Sequence, residues 1–154
     1  MPKIVETTSD RHIADARRLF EQYADTLGFS LEFQDFKSEL NSLPGEYAPP
    51  EGRLLVAYYE KQPVGCVALR KIDSDTCEMK RLYVRPRVRG EGLGRKLAIR
   101  IIDIAREQGY KRMLLDTVPW MQEAIGLYES LGFRDTEPYR HNPIAGARFM
   151  ALDL

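Results

Sequence analysis

The chain has 154 residues, 44% hydrophobic and 30% charged, a balance that suits one globular domain over 1–154 with one buried core and excludes a disordered chain. Lys plus Arg (23) equals Asp plus Glu (23), so no general affinity for nucleic acid is expected and any basic patch must be local. No apolar run reaches the length of a membrane span, and "MPKIVETTSDRHIADARRLF" has no apolar signal core, so no membrane partner and a cytoplasmic location are expected.

In chain order, "KIVET" reads as a first strand. A helix follows, capped by Ser9 or Asp10, with Ile13, Ala16, Leu19, Phe20, Tyr23 and Leu27 as its apolar face and Gly28 as its stop. Residues 29–50 are less regular, with a short helix in "EFQDFKSELNSL" and a loop in "PGEYAPPEG". The period then changes: "RLLVAYYE", "VGCVALRKI" and "TCEMKRLYV" read as three strands, and the short turns between them predict antiparallel neighbours. Pro86 ends that run.

"GLGRKLAIRIIDIAREQGY" predicts a helix with Leu93, Leu97, Ile101 and Ala105 on one face, stopped by Gly109. "KRMLLDTV" is an apolar strand, which makes a strand–helix–strand parallel crossover. "MQEAIGLYESLGF" is a further helix and "GARFMALDL" a last strand. The order is β-α-α-β-β-β-α-β-α-β. It predicts an α/β (α+β) fold with a mixed, mostly antiparallel central sheet and helices on both faces. Cys66 and Cys77 lack metal-ligand spacing and are too few for a disulfide scaffold, so two free thiols and no metal are expected.

The segment "RLYVRPRVRGEGLGRKL" (81–97) crowds arginine and glycine between a strand and a helix N-terminus. Free amides and the positive end of the helix dipole lie there, and glycines let a phosphate approach the backbone. A Walker loop fails, because Gly94 is followed by Arg95 and Lys96 with no hydroxyl residue beside the lysine. A Rossmann loop fails, because Gly92 and Gly94 would require glycine where Leu97 stands; Asp116 then only mimics a ribose-binding acid.

Arg89-Gly90-Glu91-Gly92-Leu93-Gly94 instead resembles the pyrophosphate loop of the GCN5-related N-acetyltransferase (GNAT) family, Arg/Gln-x-x-Gly-x-Gly/Ala. "EAIGLYESLGF" resembles that family's following helix through Ala124, Tyr128, Gly132 and Phe133. The resemblance spans essentially the whole chain and is densest over 65–133. It departs at Met121, where many members carry an asparagine that contacts the pantetheine arm.

The resemblance implies a GNAT fold and transfer of acetyl from acetyl-CoA to a primary amine by direct attack. Main-chain groups of Leu82, Tyr83 and Val84 would hold the pantetheine and the reacting carbonyl. Gly90, Gly92, Leu93, Gly94 and Arg95 would cradle the pyrophosphate, with Arg89 on its flank. Tyr128 would be the general acid to the thiolate, although the pattern alone reads it as core beside Ala124 and Leu131. Glu78 would be the base, directly or through ordered water; its other reading is a solvated carboxylate paired with Lys80.

For the acceptor, a small-molecule or peptide/protein amine, two regions stand out. Glu32, Asp35, Glu39 and Glu46 alternate with Phe29, Phe33, Phe36 and Tyr47, which would suit a cationic amine with an apolar body, or only an amphipathic helix with a wet face. His141, Arg140 and Arg148 lie in the last hairpin, where the two arginines offer a carboxylate clamp and His141 a titrating group. Two other functions compete: a non-catalytic acyl-CoA-binding or sensor protein of the same fold, and a nucleic-acid binder using "RPRVRG". A homodimer is compatible with exposed strand edges.

Overall fold

The computed structural model describes residues 2–154. Among these residues the elements run β1 (Lys3–Glu6), α1 (Asp10–Thr26), α2 (Phe36–Ser42), β2 (Arg53–Tyr59), β3 (Gln62–Lys71), β4 (Thr76–Val84), α3 (Leu93–Gln108), β5 (Arg112–Thr117), α4 (Gln122–Ser130), β6 (Arg134–Asp135) and β7 (Arg148–Asp153). The strands form one sheet in the order β1-β2-β3-β4-β5-β7-β6. Only β4 and β5 are parallel, joined by α3 as the crossover. The predicted mixed, mostly antiparallel sheet is therefore the observed one.

Two local details escaped the periodicity. β6 has two exposed residues, too few to carry a period, and exists because Arg134 and Asp135 pair with Ala151 and Met150 of β7. The helix expected in "EFQDFKSELNSL" is broken at Asp35, whose φ of 55° is left-handed; a 3-10 turn over Glu32–Gln34 precedes it and α2 follows. Ser9 caps α1, its hydroxyl accepting from the amide of His12 at 3.2 Å.

A sheet covered on both faces has two cores, where composition suggested one. On one face α3 buries Leu93, Leu97, Ile101 and Ala105 against Leu55, Val67, Leu69, Met79 and Met113, and Tyr128 and Phe133 join them. On the other, Ala16, Leu19 and Phe20 of α1, with Phe36 and Tyr47, cover Leu54, Val56, Cys66 and Ala68. Each large apolar side chain so buried contributes about 1.5–3 kcal/mol relative to exposure. Both cysteines are buried free thiols, and burial pushes Cys77 up to about 12 and Cys66 further. No helix among the described residues is long and apolar enough to cross a membrane.

Two irregularities of β4 shape the region that follows. β4 and β5 pair only through Thr76, Cys77 and Glu78, opposite Arg112, Met113 and Leu114. From Met79 onward the two strands part. The β3–β4 register also slips: Lys80 faces Ala68 and Tyr83 faces Cys66, so Arg81 and Leu82 together oppose Val67. This is a β-bulge, and Arg81 takes a left-handed φ of 61° in it. A strand normally alternates its faces. The bulge instead turns Lys80 and Arg81 toward the same side, that of α1 and α2.

Candidate active site

The parted strands open a groove of about 510 Å³. One wall is Leu82, Tyr83 and Val84 of β4; the floor is Arg89, Gly90, Gly92, Leu93 and Gly94; the other wall is Trp120, Met121, Ala124 and Leu127 at the start of α4. Eight of the nine cofactor-binding residues expected from sequence therefore meet in one groove. The side chain of the ninth, Arg95, donates to Ser130 Oγ at 2.9 Å, tying α3 to the end of α4, while its main-chain N–H, the group expected to meet the phosphate, lies in the first turn of α3.

The loop geometry suits a phosphate. Gly90 and Gly92 have φ of +87° and +79°, and no protein atom lies within 4 Å of where a Cβ would stand on either. Gly92 caps α3 without a side-chain hydrogen bond, so amides of the first turn remain free for an anion. Arg89 Nε donates to the carbonyl of Val84 at 2.8 Å, and its guanidinium lies over the Tyr83 ring, 5.8 Å from the centroid. Arg85 is not a phosphate ligand in this arrangement: it donates to Gln22 Oε1 at 2.9 Å and pins the segment to α1.

A second, inner cavity of about 40 Å³ lies behind the groove. Tyr23, Leu82 and Met121 line both spaces, so they mark the junction. The inner lining includes Phe29, Phe33, Tyr128 and three charged residues, Lys80, Arg81 and Asp116. Tyr128 makes an edge contact to Phe133 (centroids 5.7 Å). Burial, then Tyr23 and Asp116 nearby, push its phenol up, which keeps it protonated.

Glu78 lies outside both spaces. It is fully buried and takes Arg70 Nε (2.6 Å) and Arg140 Nη2 (3.0 Å) on one oxygen and the Tyr139 hydroxyl (2.5 Å) on the other. Burial alone would raise its pKa; Lys80, Arg140, Arg70 and the Tyr139 hydrogen bond together hold it below the usual glutamate value. The solvated carboxylate paired with Lys80 is thus replaced by a buried anchor for the loop before β7. Sequence spacing missed this because its partners come from 8, 61 and 62 residues away.

The acceptor expectations change in the same way. Glu32, Asp35 and Glu46 are exposed, and Glu39 is bound to Arg81 by two bonds of 2.8 and 2.9 Å, so those acids do not present an anionic face to the cavity. Arg148 faces outward onto Asp135 and Glu129, so it forms no clamp with Arg140. His141 is exposed. Asp116, which sequence reading discarded with the Rossmann loop, lines the cavity and accepts from Asn142 Nδ2 at 3.1 Å.

Lys80 was missed as a site residue: alternation already places it on the face of Glu78, but its burial and the cavity beside it come from distant segments. It is 8% exposed, and its ammonium donates to Gln34 Oε1 at 2.7 Å. Burial first, then Arg81 and Arg140, outweigh Glu78 and Glu39 and push it down to about 7. The unfolded lysine titrates near ~10.4, so between about pH 7 and ~10.4 the unfolded chain binds more protons and stability rises with pH. Lys80→Met is expected to remove that slope and to stabilise the fold by roughly 2–4 kcal/mol at pH 7. Chemical denaturation of both proteins at pH 7 and 10 checks this; equal stabilities at pH 7 would contradict it.

The sheet splits after the fourth of its antiparallel strands, with a glycine-rich helix start at the split, and the groove so formed suits a phosphate-bearing ligand. The family model described as "Acetyltransferase (GNAT) family" matches residues 14–133. The chain belongs to the GNAT acetyltransferase family. It is 42% identical over 142 residues to an uncharacterised N-acetyltransferase of Schizosaccharomyces pombe, covering 91% of this chain and 87% of that one. A second uncharacterised N-acetyltransferase, from Dictyostelium discoideum, is 31% identical over 214 positions, covering 99% and 98%. Among solved structures, an acetyltransferase of Streptococcus agalactiae superposes with a TM-score of 0.81 at 25% identity over 99% of this chain and 98% of that one. The Salmonella typhimurium acetyltransferase yncA, solved with acetyl-CoA, gives 0.72 at 22% over 99% and 94%.

Proposed function

We propose that the protein transfers the acetyl group of acetyl-CoA to a primary amine by direct attack. The observation that carries this reading is the junction at Tyr23, Leu82 and Met121, where the groove that suits a pyrophosphate meets a second cavity lined by Tyr128. Acetyl-CoA supplies a thioester activated for acyl transfer. Gly90, Gly92 and Gly94 receive its pyrophosphate at the α3 N-terminus, and Leu82 to Val84 guide the pantetheine along the open edge of β4. Met121 borders that path where many relatives carry asparagine, and it supplies an apolar wall in place of an amide.

The amine nitrogen attacks the thioester carbonyl carbon. A main-chain N–H on the unpaired edge of β4 stabilises the oxyanion. The C–S bond then breaks and the thiolate takes a proton from Tyr128; the nitrogen gives one up to water, and that proton restores the Tyr128 phenol, leaving amide and free thiol. Glu78 is occupied by Arg70, Arg140 and Tyr139 and lies outside both spaces, with its pKa below the usual range, which argues against it as the base. Asp116 is the one carboxylate in the lining of the inner cavity, and it orients the proton-accepting water.

The test is thiol release from acetyl-CoA over a panel of amines, with acetyl-CoA binding measured in parallel. Binding without turnover of any amine supports the non-catalytic acyl-CoA binder instead. Gly92→Ala probes the phosphate seat. A left-handed φ costs an alanine about 1 kcal/mol, and the added methyl occupies space that no protein atom fills. Acetyl-CoA affinity is expected to fall about tenfold with kcat nearly unchanged; an unaltered affinity would place the pyrophosphate elsewhere.

A further inference from the structure

The inner cavity is lined by Lys80 and Arg81 and backed by Arg70 and Arg140, and among the described residues Lys80 alone of these four has no carboxylate partner. Four cations, Arg70, Lys80, Arg81 and Arg140, cluster around two sheltered carboxylates, Glu39 and Glu78. Glu39 takes Arg81 through Nε and Nη2 on one edge, and Arg70 and Arg140 share Glu78, with exposed Glu46 accepting from Arg70 Nη1. Lys80 has no carboxylate within 4.0 Å among the described residues, and its one hydrogen bond goes to a neutral amide. Arg140 also keeps a buried Nε without a partner. A sheltered ammonium in this state is costly unless a counter-charge arrives.

Lys80 lines the cavity, and the only anion in that lining, Asp116, sits at the end of β5 beside Val118, across the gap left by the parted strands. The cavity thus presents one unpaired cation on the β4 side and one carboxylate on the β5 side, between aromatic walls from Phe29 and Phe33. That is the charge pattern of a zwitterion in reverse.

We infer that the acceptor is a small free α-amino acid, whose carboxylate binds Lys80 and whose amino group lies toward Asp116 and the donor groove. The inference rests on the acetyltransferase reading and names its acceptor class. A monoamine or polyamine would leave Lys80 unpaired and place a second cation beside it. A peptide or protein N-terminus has an amide where Lys80 needs an anion. Asp116 also separates the two ends of the ligand: it attracts the amino group and repels the carboxylate, so the amine is the end directed to the thioester.

The experiment compares kcat/KM for glycine and alanine with glycinamide, alaninamide and ethylamine, each expressed per neutral amine, in the wild type, Lys80→Met and Lys80→Arg. Acetyl-CoA binding by each variant reports that the donor groove is intact. The wild type is expected to favour the acids over their amides about a hundredfold, because a charged hydrogen bond to the acceptor is otherwise lost. Lys80→Met collapses this ratio to about one through the KM of the acids, and Lys80→Arg keeps a preference of at least about tenfold. Equal or better use of the amides or ethylamine by the wild type overturns the acceptor class but leaves the acetyltransferase reading standing. An undiminished ratio in Lys80→Met likewise removes Lys80 from acceptor recognition. Acetyl-CoA binding with no turnover of any amine overturns both readings together.

Discussion

Tyr128→Phe is expected to lower kcat for acetyl transfer by about 10²–10³-fold, the range of a positioned general acid, with the KM for acetyl-CoA close to its wild-type value. The hydroxyl is one oxygen on a ring that otherwise packs edge-on against Phe133, and it makes no hydrogen bond to a described residue. Removing it leaves the packing intact, so stability should change by less than about 0.5 kcal/mol. A core tyrosine and a catalytic one therefore predict different results from the same substitution. Loss of stability with retained kcat would assign Tyr128 to packing; loss of kcat with retained stability assigns it to the thiolate. The raised pKa matters here. Burial keeps the phenol protonated through the alkaline range in which the acceptor amine loses its proton. The alkaline side of the wild-type rate profile should accordingly show no deprotonation of Tyr128 below ~10.

The second large effect concerns stability. Glu78→Gln keeps the shape of the side chain and removes its charge, leaving Arg70 and Arg140 facing a neutral amide in a buried site. Breaking such a pair costs about 3 kcal/mol or more, which for a chain of this length lowers the melting temperature by roughly 6–12 °C. The pH dependence has a definite sign. Because the folded pKa lies below the unfolded one, the contribution of Glu78 is fully present above ~4.3 and is lost as pH falls through the lower, folded value. The wild type should lose stability more steeply than Glu78→Gln in that acid window and resemble it more closely below it. Parallel acid-unfolding curves would contradict the assignment. The same variant separates anchor from base. A base must titrate with the rate, and a carboxylate held below the usual range is ionised throughout the neutral region. The acid limb of kcat/KM should therefore persist in the folded fraction of Glu78→Gln.

Lys80 and Glu78 show opposite uses of buried charge on one strand. Glu78 is surrounded by its partners and holds the loop before β7 against the sheet. Lys80, two residues on, lacks an ionic partner and is expected to cost the fold stability. A residue whose removal stabilises the protein is explained most simply by function, because selection tolerates such a cost where binding or catalysis depends on it. The bulge at Arg81 is the physical link between the two. Without it Arg81 would face α3 and its apolar cluster, and Glu39, Gln34 and Phe36 would lose the guanidinium that joins α2 to the sheet.

The elements, their order and the coenzyme groove were legible in the sequence because each depends on local rules. Leu93, Leu97, Ile101 and Ala105 report one buried helix face by spacing alone, and all four are buried. Gly90 and Gly92 mark backbone that a phosphate can approach, and both lie in the groove with open space where a Cβ would stand. Eight of the expected groove residues lie within one stretch of thirteen, so local structure was enough to bring them together. The inner cavity depended on tertiary structure. Glu78 looked wet until residues more than sixty positions away closed over it; Lys80 looked like its surface partner until Gln34 and the cavity buried it, and Arg81 joined that side only through the bulge. Asp116 became a site residue only because β4 and β5 part after Glu78. Periodicity encodes which face of an element is buried. Which charges then meet, and which one is left without a partner, is decided by register and strand divergence, which no single segment encodes.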